Sequence, residues 1–220
     1  MAAQSKVRMT TFKHLADKGE LGVVMVRLMM FVNDLTLCND AMEQWHKYED
    51  PPHKSRESGA KMYFARLMIA HMFEALKVVN KINTTPELKE AVERCEKATQ
   101  DAFARAVKII GTTDYKLMKK VRDSITFHYL HDNVESALTT LAEKHPNDPR
   151  PISIDTRAID WHYEPCDRII DNAVLKEIFE VAEDADLKKE LETYAELYLT
   201  LGDDIMAFAG PFIFHHASKS

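Results

Sequence analysis

The residues of this chain that could act on a phosphate lie between Arg122 and His128, near the middle of the sequence. Arg122 keeps its positive charge in proteins, and its planar fork of N–H donors matches the oxygens of a phosphate. The imidazole of His128 exchanges protons near neutral pH, as a general acid or base must. Together they form a minimal set of groups for cutting a phosphodiester without a metal ion.

The same segment resembles the signature of the HEPN superfamily (higher eukaryotes and prokaryotes nucleotide-binding), an arginine, a polar residue and then a histidine after four to six intervening residues. Here five residues intervene and the polar residue is Asp123. The run Phe127-His128-Tyr129 resembles in particular uncharacterised bacterial members of similar length. The resemblance covers about residues 10–145 and implies an all-α helical bundle, usually a homodimer.

Many members of that superfamily are metal-independent ribonucleases of bacterial defence and toxin systems, so the resemblance also implies a function. Arg122 would bind the scissile phosphate of an RNA. His128 would help the 2′-hydroxyl to attack or protonate the leaving oxygen, and Asp123 would orient one of the two. The product would be a cyclic phosphate, with no cofactor and no metal. In a toxin system an antitoxin would be a further partner.

The spacing of Arg122 and His128 restricts how the two can meet. Six positions of a regular helix advance about 600°, which leaves the two side chains about 120° apart. Either the helix ends or loosens near Phe127, or two copies meet so that residues of both chains converge. The second alternative is what the family resemblance implies. A narrow apolar seam on the same predicted helix, formed by Leu117, Val121 and Ile125, would then face its twin.

Several neighbouring residues could support the pair. His131 and Asp132 would share a face with His128 if the helix persisted, and Asp132 could then orient either histidine. Lys119 lies on the same helix face as Arg122 within a basic run that also contains Lys116 and Lys120. Such a run would attract an anion.

Each of these residues also has a structural interpretation. A basic run is typical of a solvated helix face, and Arg122 could form an ion pair with Asp34 or Asp123. His128 could be a hydrogen-bonded histidine at a helix end. Asp34 lies in an almost wholly apolar segment, where a carboxylate needs a partner. It is therefore better interpreted as a structural brace than as a catalytic group.

A metal centre is the competing chemistry. Glu43 and His46 form an ExxH unit, which di-iron bundles use twice, and no second copy occurs before another histidine. His215 and His216 are adjacent near the end of the sequence and could bind a metal adventitiously. We expect no resident metal ion.

Composition excludes several classes of function. The net charge of −6 argues against an extended nucleic-acid surface, although it leaves room for a small RNA site. Only 6 glycines occur, and neither GxxxxGK[ST] nor GxGxxG is present, so a P-loop or Rossmann site is not expected. The three cysteines are widely spaced and fit a reducing cytosol.

No membrane segment is expected either. Residues 1–11 lack the apolar run of a signal peptide. The most apolar stretch, residues 21–32, is interrupted by Arg27 and is too short to cross a bilayer. The sequence therefore predicts a cytoplasmic protein.

Hydrophobic periodicity and capping signals predict helices in one domain of 220 residues, with a core over about residues 15–145. The predicted helices cover residues 20–48, 54–82, 85–110, 113–127, 132–144, 174–182 and 187–209. Alternating residues predict a small β-hairpin near residues 152–163. The fold class is thus an all-α bundle. Apart from a ribonuclease, the sequence fits a catalytically silent bundle that acts as an interaction or regulatory protein.

Overall fold

The computed structural model describes residues 7–45, 51–123, 131–150, 152–153, 162–182 and 187–217. Its α-helices are α1 (Phe12–Asp17), α2 (Glu20–Trp45), α3 (Pro51–Thr84), α4 (Pro86–Glu93), α5 (Lys97–Ile109), α6 (Thr113–Val121), α7 (His131–Lys144), α8 (Glu164–Asn172) and α9 (Leu187–Ala217). A π-helical segment, Ala173–Ile178, follows α8. Two short strands, β1 (Ile152–Ser153) and β2 (His162–Tyr163), pair antiparallel. The described chain is therefore all-α, as predicted, apart from this strand pair.

The centre of the bundle consists of the three long helices α2, α3 and α9, which pack on one another. α5 packs along α9, and α6 packs on α3. The apolar stripes predicted for α2 and α3 face this core, and their buried members are Met25, Leu28, Leu35, Ile69, Phe73, Leu76 and Val79. Burial of such side chains is the main favourable contribution to folding.

Local signals fix several helix ends. The Thr112 hydroxyl accepts a hydrogen bond from the backbone N–H of Tyr115 and caps α6, and Pro86 occupies the first position of α4. Gly111, with φ of 84°, lies between α5 and α6 in the left-handed region, which glycine adopts at little cost. The predicted helix boundaries near residues 85, 110 and 113 are therefore confirmed.

Other boundaries differ from the prediction. Pro51 and Pro52 belong to the first turn of α3, where the missing N–H groups would have no helical partner, so they start the helix rather than precede it. The predicted helix over residues 85–110 is two helices, because the chain breaks at residues 94–96. α8 was not predicted. The predicted helix over residues 174–182 is instead the shorter π-helical segment.

The apolar face of α6 is used within the chain itself. Val121 and Met118 are completely buried, and Leu117 packs against the same core. Ile125, the third member of the predicted seam, lies outside the described residues. Val121 is therefore covered by the chain's own core and is not available for contact with a second copy.

α1 packs closely on α2 at Gly22. A Cβ atom at this glycine would lie 1.9 Å from the backbone oxygen of Leu15, far inside van der Waals contact. The absence of a side chain at Gly22 therefore permits the close approach of the two helices.

Two helices, α2 and the part of α9 from Leu197 to Ala217, are long and apolar enough to cross a membrane by length and composition. The most apolar 18-residue window of the 26-residue helix α2 has a mean hydropathy of 1.7, so its apolar character extends beyond the twelve residues noted in the sequence. Core helices of water-soluble proteins meet the same criterion. In this structure, α2 and α9 pack on each other and on α3.

Candidate functional site

Arg122 directly follows α6, at the end of a helix that packs on α3. Its Nε lies 3.2 Å from Oε1 of Glu74, and its Nη1 donates a 2.9 Å hydrogen bond to Oδ1 of Asp123. The Arg122 side chain is 37% exposed. Two carboxylates thus hold the guanidinium in place while part of it remains accessible to solvent.

Lysines extend this contact into a network of alternating charge. Lys119 donates a 2.7 Å hydrogen bond to Oδ2 of Asp123, and Lys77 donates one of 2.9 Å to Oε2 of Glu74. The hydrogen bond to Asp123 raises the pKa of Arg122, and the hydrogen bond from Lys119, aided by that from Arg122, lowers the pKa of Asp123. The five residues carry three cations and two carboxylates, which leaves one net positive charge.

The backbone changes conformation at the same place. α6 ends at Val121, and residues 122 and 123 continue as a π-type turn. Such turns are wider than an α-helical turn and occur frequently at functional sites. The wider turn therefore begins at Arg122. Phe127 and His128 lie outside the described residues, so the approach of His128 to Arg122 stays a prediction.

Asp34 has a partner on the neighbouring helix. Its Oδ2 lies 3.5 Å from Nδ1 of His71, so the contact joins α2 to α3. This contact supports the interpretation of Asp34 as a structural brace. Of the two ion-pair partners considered for Arg122, Asp34 and Asp123, the structure shows a contact with Asp123. His71 is three positions before Glu74 on α3, and the two side chains therefore share a face one turn apart.

Glu74 and His71 were not predicted as site residues from the sequence. The signal was present, because both are polar residues within an otherwise apolar stretch of α3 and required partners there. The partners of Glu74 and His71 depend on the packing of α3 between α2 and α6, which the sequence pattern does not show.

Other predicted site residues have different outcomes. His128 lies outside the described residues. His131 and Asp132 are the first two residues of α7. Lys116 and Lys120 are exposed, and Nζ of Lys120 lies 3.4 Å from Oε1 of Glu180, a residue with a φ of 54° beyond the π-helical segment.

Two groups of residues bear on metal binding. Glu43 is exposed on α2, while His46 lies outside the described residues. The expectation that this ExxH unit holds no metal ion therefore stays a prediction. Cys95, His215 and His216 have ligand atoms that all lie within 4.8 Å of one another. Their convergence was not predicted, because Cys95 and His216 are 121 positions apart in the sequence.

Comparisons of this chain with protein-family models, with curated proteins and with solved structures find no match.

Proposed function

We propose that the chain is a HEPN-like, metal-independent endoribonuclease in which Arg122 binds the scissile phosphate and His128 transfers the proton. The observation that carries this proposal is the half-exposed guanidinium of Arg122, held by Asp123 and Glu74 at a π-type turn. Preorganised cations of this kind stabilise charge that develops in a transition state. The motif resemblance supplies the RNA substrate and the role of His128.

Arg122 has donors to offer a phosphate while it remains anchored. A guanidinium carries five N–H groups in a rigid fork. The contacts at Nε and Nη1 direct these two nitrogens toward Glu74 and Asp123. A phosphate would take N–H groups that these two contacts do not use, and the net positive charge of the network would favour its approach.

The reaction follows from the groups in these roles. The 2′-hydroxyl oxygen of the RNA attacks phosphorus, and the bond from phosphorus to the 5′-oxygen breaks. The products are a 2′,3′-cyclic phosphate and a 5′-hydroxyl. His128 accepts the proton of the 2′-hydroxyl or donates one to the 5′-oxygen, and Arg122 stabilises the charge on the phosphate oxygens.

The proposed enzyme is a homodimer, and the exposed apolar face of α2 supports this assembly. Val23, Val26, Met30 and Leu37 are each between 39% and 65% exposed. Together with the exposed Asn33 they follow the alternating three- and four-residue spacing of a coiled-coil seam. The seam is about 21 Å long, and a single polar residue such as Asn33 in it can fix register against an identical helix.

The experiment that tests the proposal measures cleavage of single-stranded RNA in EDTA. We expect cleavage by the wild-type protein, products that end in a cyclic phosphate, and loss of cleavage in Arg122→Ala and in His128→Ala. Arg94→Ala is a matched control, because Arg94 is also a surface arginine paired with a carboxylate, that of Glu90. Circular dichroism spectra of all variants show whether they fold.

The variant His71→Gln tests whether His71, rather than His128, transfers the proton. If His71 only braces α2 against α3, this variant keeps most of the cleavage activity. A loss equal to that of His128→Ala would assign the proton transfer to His71. Absence of cleavage by the folded wild-type dimer would contradict the proposal.

A catalytically silent interaction protein is the second candidate function. The α2 seam favours it, since an exposed apolar face suits a partner helix. In that case the network around Arg122 holds α6 on α3, and the protein should bind its partner equally well with Arg122→Lys. RNA cleavage distinguishes the two candidates.

A further inference from the structure

Three residues that the proposed ribonuclease does not use converge where α4, α5 and α9 meet. Cys95 lies in the break between α4 and α5, and His215 and His216 lie in the last turn of α9. Sγ of Cys95 is 3.8 Å from Nε2 of His216, and the ligand atoms of all three lie within 4.8 Å of one another. We propose that these residues form a binding site for a zinc ion.

The distances are close to those of an occupied site. In a tetrahedral zinc site, bonds of 2.0–2.3 Å place two ligand atoms about 3.5 Å apart. The separation of Cys95 and His216 is already within a few tenths of an ångström of this value. The remaining adjustment falls to His215, which is exposed near the end of a helix.

The surrounding structure holds Cys95 in place. The side chain of Gln100 donates hydrogen bonds to the backbone oxygens of Glu93, at 3.0 Å, and of Cys95, at 2.8 Å. These contacts fix the short connection between α4 and α5 on both sides of the thiol. Cys95 itself is 6% exposed, so the sulfur faces the α9 helix and not bulk water.

Adjacent residues of a helix usually diverge by about 100°, so two neighbouring histidines rarely reach one ion. Here the buried His216 and the exposed His215 have ring centroids 4.7 Å apart with an angle of 81° between their planes. One ring nitrogen of each histidine nevertheless lies within 4.8 Å of the Cys95 sulfur.

The chemical type of the three donor atoms favours zinc over calcium and magnesium. One thiolate and two imidazoles match the nitrogen and sulfur ligands of zinc, whereas calcium and magnesium prefer oxygen ligands. Binding releases the thiol proton of Cys95 to solvent. His216, whose Nε2 lies 3.0 Å from the backbone oxygen of Ala91, exchanges that hydrogen bond for the metal and keeps its single proton on Nδ1.

The fourth coordination position faces a cleft of about 470 Å³ that Cys95 and His215 line together with Arg8, Thr99 and Phe214. Three protein ligands and one open position are typical of zinc sites that bind water or a substrate. Arg8 lies over the ring of Phe214, 4.0 Å from its centroid, and adds positive charge to the cleft. A water molecule or a small anion would complete the coordination.

The test is a titration of the metal-depleted full chain with Co²⁺, which takes the place of zinc and reports its ligands by absorption. We expect one Co²⁺ per chain, the intense visible bands of a tetrahedral site, and a thiolate-to-cobalt charge-transfer band that Zn²⁺ abolishes. Cys95→Ser should lose the charge-transfer band. Cys166→Ser, which removes an exposed cysteine of α8, should leave it unchanged.

His215→Ala keeps the test decisive, because His215 is exposed and its loss does not open the core, unlike that of His216. This variant should bind Co²⁺ at least about tenfold more weakly, the order that lost metal-site contacts cause. His145→Ala, on a different exposed histidine, should bind as the wild type does. A wild-type complex without the charge-transfer band, or equal affinity in wild type and His215→Ala, would overturn the proposal.

Discussion

The pH dependence of stability should show an unusual contribution from Asp171 on α8. Its side chain is 21% exposed, and its Oδ1 lies 3.7 Å from Nη1 of the buried Arg66 on α3, too far for a hydrogen bond. Burial raises the pKa of Asp171 from 3.8 to about 6, although Arg66 opposes this shift. Loss of hydration thus outweighs the attraction of the nearby cation.

The direction in which the free energy of unfolding changes with pH follows from proton binding. Between about pH 4 and pH 6 the folded chain holds a proton on Asp171 that the unfolded chain has released, so stability decreases as pH rises. The pKa difference is about 2 units, and each unit corresponds to about 1.4 kcal/mol. From about pH 3 to pH 7, Asp171 should therefore lower the free energy of unfolding by about 3 kcal/mol.

The assay is urea denaturation of wild type and Asp171→Asn across this pH range. The neutral amide resembles the protonated acid, so the variant should gain about 3 kcal/mol relative to wild type as pH rises from about 3 to 7. Asp123→Asn is the matched control with the opposite sign, because Lys119 and Arg122 lower the pKa of Asp123. That variant should lose stability relative to wild type as pH rises. A constant difference for Asp171→Asn, or one that falls with pH, would refute the reasoning.

Two further predictions concern packing and assembly. Gly22→Ala should lower the free energy of unfolding by about 1–3 kcal/mol, measured by urea denaturation, because the new methyl group would collide with the backbone oxygen of Leu15. Gly210→Ala, where a Cβ meets nothing within 4 Å, is its control, and an equal loss in both would contradict the explanation. Met30→Glu should convert a wild-type dimer into a monomer in light scattering, since it places a charge in the α2 seam. A dimer that survives this change would place the interface elsewhere.

The sequence predicted the helices whose ends carry specific chemistry. Gly111 and Thr112 separate α5 from α6 by local effects, a left-handed backbone conformation and a side-chain cap. Such effects can be predicted from the sequence because they do not depend on tertiary packing. The break at residues 94–96 has no comparable signal. It depends on the packing of α4 on α3 and of α5 on α9, which the sequence pattern does not reveal.

In the candidate sites, too, local contacts could be predicted from the sequence and contacts between distant helices could not. Arg122 and Asp123 are adjacent, so their hydrogen bond could be anticipated from the sequence as one alternative. Glu74 reaches Arg122 only through the contact of α3 with α6. Cys95 and His216 meet only because α9 returns to the start of α5, and no local pattern reports such a contact.

The most direct test of the account compares RNA cleavage by wild type and by Arg122→Lys in EDTA. Lysine keeps the positive charge but loses the fork of donors that Asp123, Glu74 and a phosphate would share. We expect cleavage by the wild type and a rate about a hundredfold or more lower in the folded variant. Equal rates in the two proteins, or no cleavage by either, would contradict the role of Arg122 in binding the scissile phosphate.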